Sequence, residues 1–448
     1  MKTRIANAFD SHVHWQGTGS VLERLQLNQL KSATDLEQLQ ILKQHMHGEW
    51  LLGWGFDENQ FVDLTLHRKT LDKRFGAVPV VFTRVDGHSL WVNTEALKRT
   101  GLYSRSLDSF DRGLVETDSD GWPTGFLKES AADQVRQILP APSDFQIKRY
   151  LQSAADSFNR AGFTHIRDMT CDESQWNLAC SLAQEPNWSL AVIQNFSVDT
   201  FQSFETALKM VIQARKSAPR LIRVGAIKIF FDGSLGSETA LLSEPYITNS
   251  TVRSTVGRHS GLQLVERIAL KEMIQKSWEN QIDVAIHVIG DEAAHRVLKV
   301  AHEIWEINPQ GRLHLEHVEL LRDETIQMMK GRNVVCHLQP SHWLSDKIWL
   351  SDKIGDRVKW AFRWHDLELN QIPFFFGSDS PIEVPSLQQT QKALADAAKS
   401  GILNIQKSVH HYHSFPDASW TPNTSTEFES GQVSALIFEG RPLFKSQS

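Results

Sequence analysis

Nine short runs rich in β-branched and aromatic residues recur along the chain, each followed by a helical pattern. They are AFDSHVH (8–14), VPVVFTRV (78–85), FTHIRDM (163–169), SLAVIQNF (189–196), RVGAIKIFF (223–231), DVAIHVI (283–289), RLHLEHV (312–318), NVVCHL (333–338) and IPFFFGS (372–378). Such alternation predicts parallel βα units. A closed (β/α)8 barrel needs eight strands, one fewer than these nine. From Phe163 onward the runs follow at βαβ intervals, whereas one long stretch follows the first run, so VPVVFTRV is assigned to an insertion. The predicted fold is therefore α/β: a (β/α)8 TIM barrel built from residues 1–14 and 161–400, with a long insert after strand 1 and a reduced C-terminal β remnant.

The insert, residues 15–160, is expected to form a subdomain over the barrel mouth. It carries WLLGWGFDENQF, WVNTEALKRTGL and the turn-rich DSDGWPTG, and long insertions after barrel strands are where specificity is usually built. The tail, residues 401–448, is less regular. Its HHYH (410–413) sits in a loop-like stretch and is expected at the exposed surface, and GQVSALIFEGRPLF is expected to form two short strands joined at Glu-Gly.

Charge and cysteine usage narrow the partners. Over 448 residues, 47 Lys+Arg against 53 Asp+Glu leave a formal charge of −6 with no basic block. Neither nucleic acid nor a membrane surface is expected as a partner, and a small-molecule substrate is. No apolar run reaches the roughly 18 residues of a membrane span, and MKTRIANAFD lacks the apolar core of a secretory signal. Cys171, Cys180 and Cys336 are too scattered for a disulfide framework or a zinc site. A cytoplasmic protein is expected; its oligomeric state stays open, homo-oligomers included. The 14 Trp are expected in packing, with some able to line an aromatic pocket. There is no P-loop, no GxGxxG opening a helix after a strand and no GxSxG elbow.

The candidate chemistry begins at FDSHVHW. Side chains two apart on a strand share a face, so His12 and His14 can reach a common ion. Later strands add Lys228 in the middle of the apolar strand of IKIFFDGSLGS, His287 in AIHVIGD and His317 in HLEHVEL near strand ends, and Asp379 just after one in FFFGSDSP, and in an α/β barrel the carboxyl ends of all strands converge on one mouth. Imidazole and carboxylate suit zinc and neighbouring divalent ions. An ammonium cannot ligate a cation, but carbamylation by CO2 would turn Lys228 into a bridging carboxylate; otherwise Lys228 would pair with Asp232, Glu238 or Asp379. His295 and His314 compete as ligands, but helical phase or strand alternation would turn them elsewhere. The alternative for Asp379 is a turn or helix N-cap.

FDSHVHW, KIFFDGSLGS, AIHVIGDEAAHRVL, HLEHVELL, HLQPSHW and FFFGSDSPIE, in this order, resemble the amidohydrolase superfamily. More narrowly, with WVNTEAL and PTGFLKESA in the insert, they resemble the subfamily that includes N-substituted formamide deformylases. The similarity runs from about Phe9 to about Pro385. It implies a metal-dependent barrel hydrolase with His12, His14, Lys228, His287, His317 and Asp379 around one or two divalent ions, zinc first and other transition metals after it. Lys228 would then be N6-carboxylated and Asp379 would shuttle the proton.

Relatives usually carry some fifty strand-rich residues before the HxH, against about eight here. Either that small β-sandwich is reduced to the C-terminal strands or the gene begins upstream. His88, Trp54 and Asp57 are expected as substrate contacts if the insert folds over the mouth and as insert packing if it does not, and His342 in QPSHW as a substrate contact towards a carbonyl or oxyanion. The expected reaction is hydrolysis of a carbon–nitrogen bond in a non-peptide amide. An esterase, lactonase or phosphoesterase on the same site is the nearer alternative, and a non-catalytic binding or regulatory protein the farther one.

Overall fold

The computed structural model describes residues 2–85, 87, 89–105, 115–199, 202–236, 238–247, 259–400, 409–429 and 432–445. The chain divides into two compact units, one made of Met1–Thr18 with Leu151–Ser448 and the other of Gly19–Tyr150.

The larger unit is built on eight parallel strands: β1 (Phe9–Val13), β2 (His165–Cys171), β3 (Ala191–Val198), β4 (Ile222–Phe230), β5 (Val284–Val288), β6 (Leu313–His317), β7 (Val334–Leu338) and β8 (Phe374–Phe376). They pair in sequence order from β1 to β8. The ring is drawn shut beyond β8, where Val13 forms a parallel bridge with Ser380. Helices return the chain between strands, and side chains cap several of them: Asp172 accepts from the N–H of Gln175, Ser203 from that of Thr206 and Ser386 from that of Gln389. The eight strands are the eight runs assigned to the barrel by spacing. Among the described residues no helix is long and apolar enough to cross a membrane.

Gly377 shows why a glycine stands in FFFGSDS. A Cβ there would lie 2.6 Å from the backbone nitrogen of His12 and 2.8 Å from its Cβ. Only hydrogen fits where the last strand meets the first.

At the amino ends of the strands the tail forms a floor. Phe9, Ala191, Phe415 and Trp420 cluster there, His165 stacks on Phe415 at 5.2 Å, and its Nε2 meets the Thr421 hydroxyl at 2.9 Å. HHYH is not the exposed loop expected from the sequence. Val409–Tyr412 is helical, Tyr412 stacks on Phe374 at 4.3 Å, and His413 is buried, its Nδ1 donating to the Phe9 carbonyl at 3.0 Å. Composition marked this stretch as polar, but packing against the barrel floor buried half of it.

The last residues form a four-stranded antiparallel sheet in which Lys2–Ala6 pairs with Ser425–Glu429, then Gln432–Phe438 and Arg441–Lys445 follow. The Glu-Gly turn is as expected: Glu439 and Gly440 have φ of 50° and 80°, the left-handed pair that a tight hairpin needs. The first two of these strands were too short and too polar to stand out as a sheet, so Lys2–Ala6 and Ser425–Glu429 went unassigned in the sequence.

The smaller unit holds a seven-stranded mixed sheet containing Val80–Arg84, the ninth run. Successive residues face opposite sides: Leu51, Val80, Phe82 and Trp91 enter one core cluster, and Trp50, Leu52, Val81 and Leu90 the other. A strand buried on both faces reads as a continuous apolar run, which is why it mimics a barrel strand in sequence.

Candidate metal centre

His12 lies on β1 and His14 just past its end, Lys228 on β4, His287 on β5, His317 at the end of β6, and Asp379 three residues beyond β8. Asp379 is held in place by backbone. Its N–H donates to the His12 carbonyl at 2.8 Å, and the N–H of His14 donates to the Ser380 carbonyl at 2.8 Å. The Asp10 carboxylate accepts from the N–H of Ser378 at 2.9 Å. His317 and Asp379 have φ of 71° and 57°. Left-handed backbone at non-glycine residues costs energy and tends to be retained where function requires it.

The side chains converge. Asp379 Oδ1 lies 3.2 Å from His12 Nε2 and 3.2 Å from His14 Nε2. Ligands about 2.0–2.2 Å from one tetrahedral ion would stand roughly 3.3–3.6 Å apart, close to these separations. His317, His342 and Asp379 form a second group able to offer donor atoms to an ion. Among the described residues, buried His12 Nε2, Asp379 Oδ1, His342 Nε2 and Lys228 Nζ have no hydrogen-bond partner, a cost that proteins seldom leave unmet without a ligand. This donor set fits a divalent ion.

Each imidazole is steered from behind. His12 Nδ1 meets Glu316 Oε2 at 2.6 Å, His14 Nδ1 meets the Thr170 hydroxyl at 3.3 Å, His317 Nδ1 meets Gln339 Oε1 at 2.9 Å, and His342 Nδ1 meets Glu319 Oε1 at 2.9 Å. His287 Nε2 donates to the Gly233 carbonyl at 3.1 Å, and its ring sits edge-on to His317 at 4.5 Å.

Charges follow from burial and neighbours. Burial would raise the Asp379 carboxyl, but His12, His14 and His317 hold it well below the usual carboxylate range. Burial pulls the Lys228 ammonium down to about 8, against the charges of Glu316 and Asp379. For His342 burial opposes protonation, yet Glu319 and Asp379 bring the ring up to about 10.

A family model described as "Amidohydrolase family" matches residues 8–394. The chain belongs to the amidohydrolase family. It is 31% identical over 390 residues to the putative amidohydrolase YtcJ of Bacillus subtilis (strain 168), covering 84% of this chain and 69% of that protein. It is also 23% identical over 328 residues to the N-substituted formamide deformylase of Arthrobacter pascens, covering 70% of this chain and 59% of that protein. Among solved structures, an uncharacterized metal-dependent hydrolase from Pyrococcus furiosus superposes with a TM-score of 0.66 at 26% identity, covering 88% of this chain and 77% of that one. The fold is that of metal-dependent hydrolases.

In this amidohydrolase the residues expected from sequence are distributed unevenly. His12, His14, His317, His342 and Asp379 share the two donor groups, whereas His287 and Lys228 stand beside them. None of the ion pairs weighed for Lys228 forms among the described residues. Asp232 instead accepts the N–H groups of Leu241, Ile289 and Gly290, Glu238 pairs with Lys353, and Lys228 Nζ lies 4.2 Å from the Phe230 ring centre. His295 lies on the helix Asp291–Trp305. His314 bonds His337 at 2.9 Å and Asp283 at 3.3 Å. Trp54 and Asp57 belong to the smaller unit, Trp54 beneath Arg24 at 5.8 Å and Asp57 paired with Arg84 at 3.2 Å; His88 lies outside the described residues.

Sequence reasoning missed Glu316 and Arg167 of this amidohydrolase. The signal was present in HLEH: alternation gives Glu316 the same face as His314, and Glu316 spans the barrel to His12 on β1. His317, one residue on, would point away by the same rule. Its positive φ breaks the alternation and turns it to the site.

Proposed function

We propose that the protein hydrolyses a carbon–nitrogen bond of a non-peptide amide in a small molecule, using one or two divalent ions, zinc first among them. The observation that carries this reading is the meeting of His12 Nε2, His14 Nε2 and Asp379 Oδ1 at the carboxyl ends of the strands. Similarity to the N-substituted formamide deformylase of Arthrobacter pascens supports an N-acyl or N-formyl amine as substrate class. Bound there, an ion would lower the pKa of water towards 7 and polarise a carbonyl.

The chain's own residues supply the remainder. Asp379 has one oxygen towards His12 and His14, while Oδ2 lies 3.8 Å from His342 Nε2. That second oxygen takes the proton of the attacking water and passes it to the leaving nitrogen. His342, braced by Glu319, presents an N–H to the oxygen on which charge develops. Lys228, a buried amine, could combine with CO2 to give a carbamate and a proton, and that carbamate, with His287 and His317, would be the group able to hold a second ion. With Cys171, Cys180 and Cys336 all unpaired, we assign the enzyme to the cytoplasm.

Metal analysis of the purified protein tests the proposal, followed by a panel of N-acyl and N-formyl amines beside esters, lactones and phosphoesters. We expect at least one equivalent of a transition metal and fastest turnover on an amide. Less than half an equivalent, with no gain on adding Zn2+, removes the metal reading; preference for an ester, lactone or phosphoester transfers the site to those bonds.

A further inference from the structure

The barrel interior contains a three-residue chain that the reaction above leaves unused. Glu316 on β6 presents Oε2 to His12 Nδ1 at 2.6 Å and Oε1 to Arg167 Nη1 at 2.7 Å, and all three side chains are 4% exposed or less. Arg167 Nη1 also reaches the Ser11 carbonyl at 3.4 Å, next to His12 in sequence. Arg167 therefore spans from β2 to β1 and β6, and both carboxylate oxygens of Glu316 are taken.

An ionised carboxylate only accepts and a guanidinium only donates. His12 Nδ1 must then carry a proton in this contact, so Nε2, the nitrogen facing Asp379, is the one whose lone pair a bound ion would take. Resting on the metal reading, we infer that Glu316 is a positioning residue that selects the metal-binding tautomer of His12, and that Arg167 determines which way its side chain can be read.

Replacing Glu316 by glutamine separates the two ends of this contact. The amide has one accepting and one donating end. Arg167 can only donate, so it captures the amide oxygen and leaves the NH2 group facing His12 Nδ1. That nitrogen must now accept, the proton moves to Nε2, and the ligand atom is blocked. Removing Arg167 as well frees the amide to turn over, give its oxygen to Nδ1–H and restore the tautomer. A second mutation should thus repair the first and return the proton to Nδ1; relief of the unpaired Arg167 charge would also restore affinity, but without moving that proton.

The test is Zn2+ affinity, measured by chelator competition on the full-length protein, for wild type, Glu316→Gln, Arg167→Met and the double variant, with circular dichroism confirming the fold. Glu316→Gln is expected to weaken Zn2+ binding by about 10- to 100-fold, the usual cost of losing a residue that orients a ligand. Arg167→Met should stay within a few-fold of wild type, and the double variant should recover most of the loss. A double variant as weak as or weaker than Glu316→Gln, or a Glu316→Gln protein that binds as wild type does, overturns the inference while leaving the metal reading intact. A wild type that binds no Zn2+ overturns the metal reading first. [15N]histidine NMR reads the tautomer directly: the His12 Nδ1–H signal, identified by its loss in His12→Ala, is expected in the wild type and the double variant and not in Glu316→Gln, and its absence from the wild type, which alone decides should Arg167→Met fail to fold, overturns the inference.

Discussion

The backbone N–H of Asp379 donates to the carbonyl of His12 at 2.8 Å, and the side chains of the same two residues meet 3.2 Å apart. The seam that closes the barrel and the cluster proposed to hold metal are thus one structure. A disturbance at this seam should be felt in stability and in the site together.

Gly377→Ala tests that link. Its Cβ would press on His12 backbone at 2.6 Å, so the strands must part; overpacking of this kind costs about 1–3 kcal/mol. We expect a lower urea midpoint together with weaker Zn2+ binding. Gly236→Ala, whose nearest neighbour would be Trp349 at 3.9 Å, should change stability by about 0.5 kcal/mol or less.

Asp379→Asn keeps the shape of the side chain and removes its capacity to take a proton. On the amide turned over fastest, kcat should fall by about 10²- to 10⁴-fold, with the thermal midpoint shifted by only a few degrees. Retention of full turnover would move the proton shuttle to another residue.

Chelation should destabilise the folded chain, because an ion bound only in the native state adds RT ln(1 + [L]/Kd). At free metal about 100 times Kd this is about 2.7 kcal/mol. Differential scanning calorimetry with EDTA and then with added Zn2+ should show the midpoint fall and recover.

Acid stability depends on the floor of the barrel. Burial, with Arg223 nearby, lowers His165 to about 3, and burial lowers His413 to about 4, whereas histidine in an unfolded chain titrates near 6.5. Above that pH both states are neutral and these groups add no pH dependence. As pH falls below 6.5 the unfolded chain gains protons that the folded one refuses, so each group removes about 1.4 kcal/mol of stability per pH unit. Urea midpoints between pH 7.5 and 5 should therefore fall less steeply in His165→Asn than in the wild type; an equal slope would mean that His165 is protonated in the fold.

Of the site, the residue types and their strands were legible. His12, His14, His317 and Asp379 could be assigned to strand ends because parallel strands put their carboxyl ends on one face, whatever the loops do. His342 could be nominated, but not its place beside His317 and Asp379, which depends on where the segment after β7 packs. HHYH misled for a related reason. Polarity is local, whereas burial of His413 depends on Phe9 and Phe163, hundreds of residues away in the chain.

What the amino-acid sequence determined by itself was periodic: eight strands separated by helices, a ninth on another sheet, a Glu-Gly hairpin, and chemistry-bearing side chains at recurring positions. Tertiary structure alone decided the pairing of Glu316 with His12 and Arg167, the turn of His317 against strand alternation, and the solitary burial of Lys228. Periodicity follows from backbone geometry one residue at a time. Contact across a barrel follows from closing the ring, and a ring closes only when Gly377 lets its last strand reach its first.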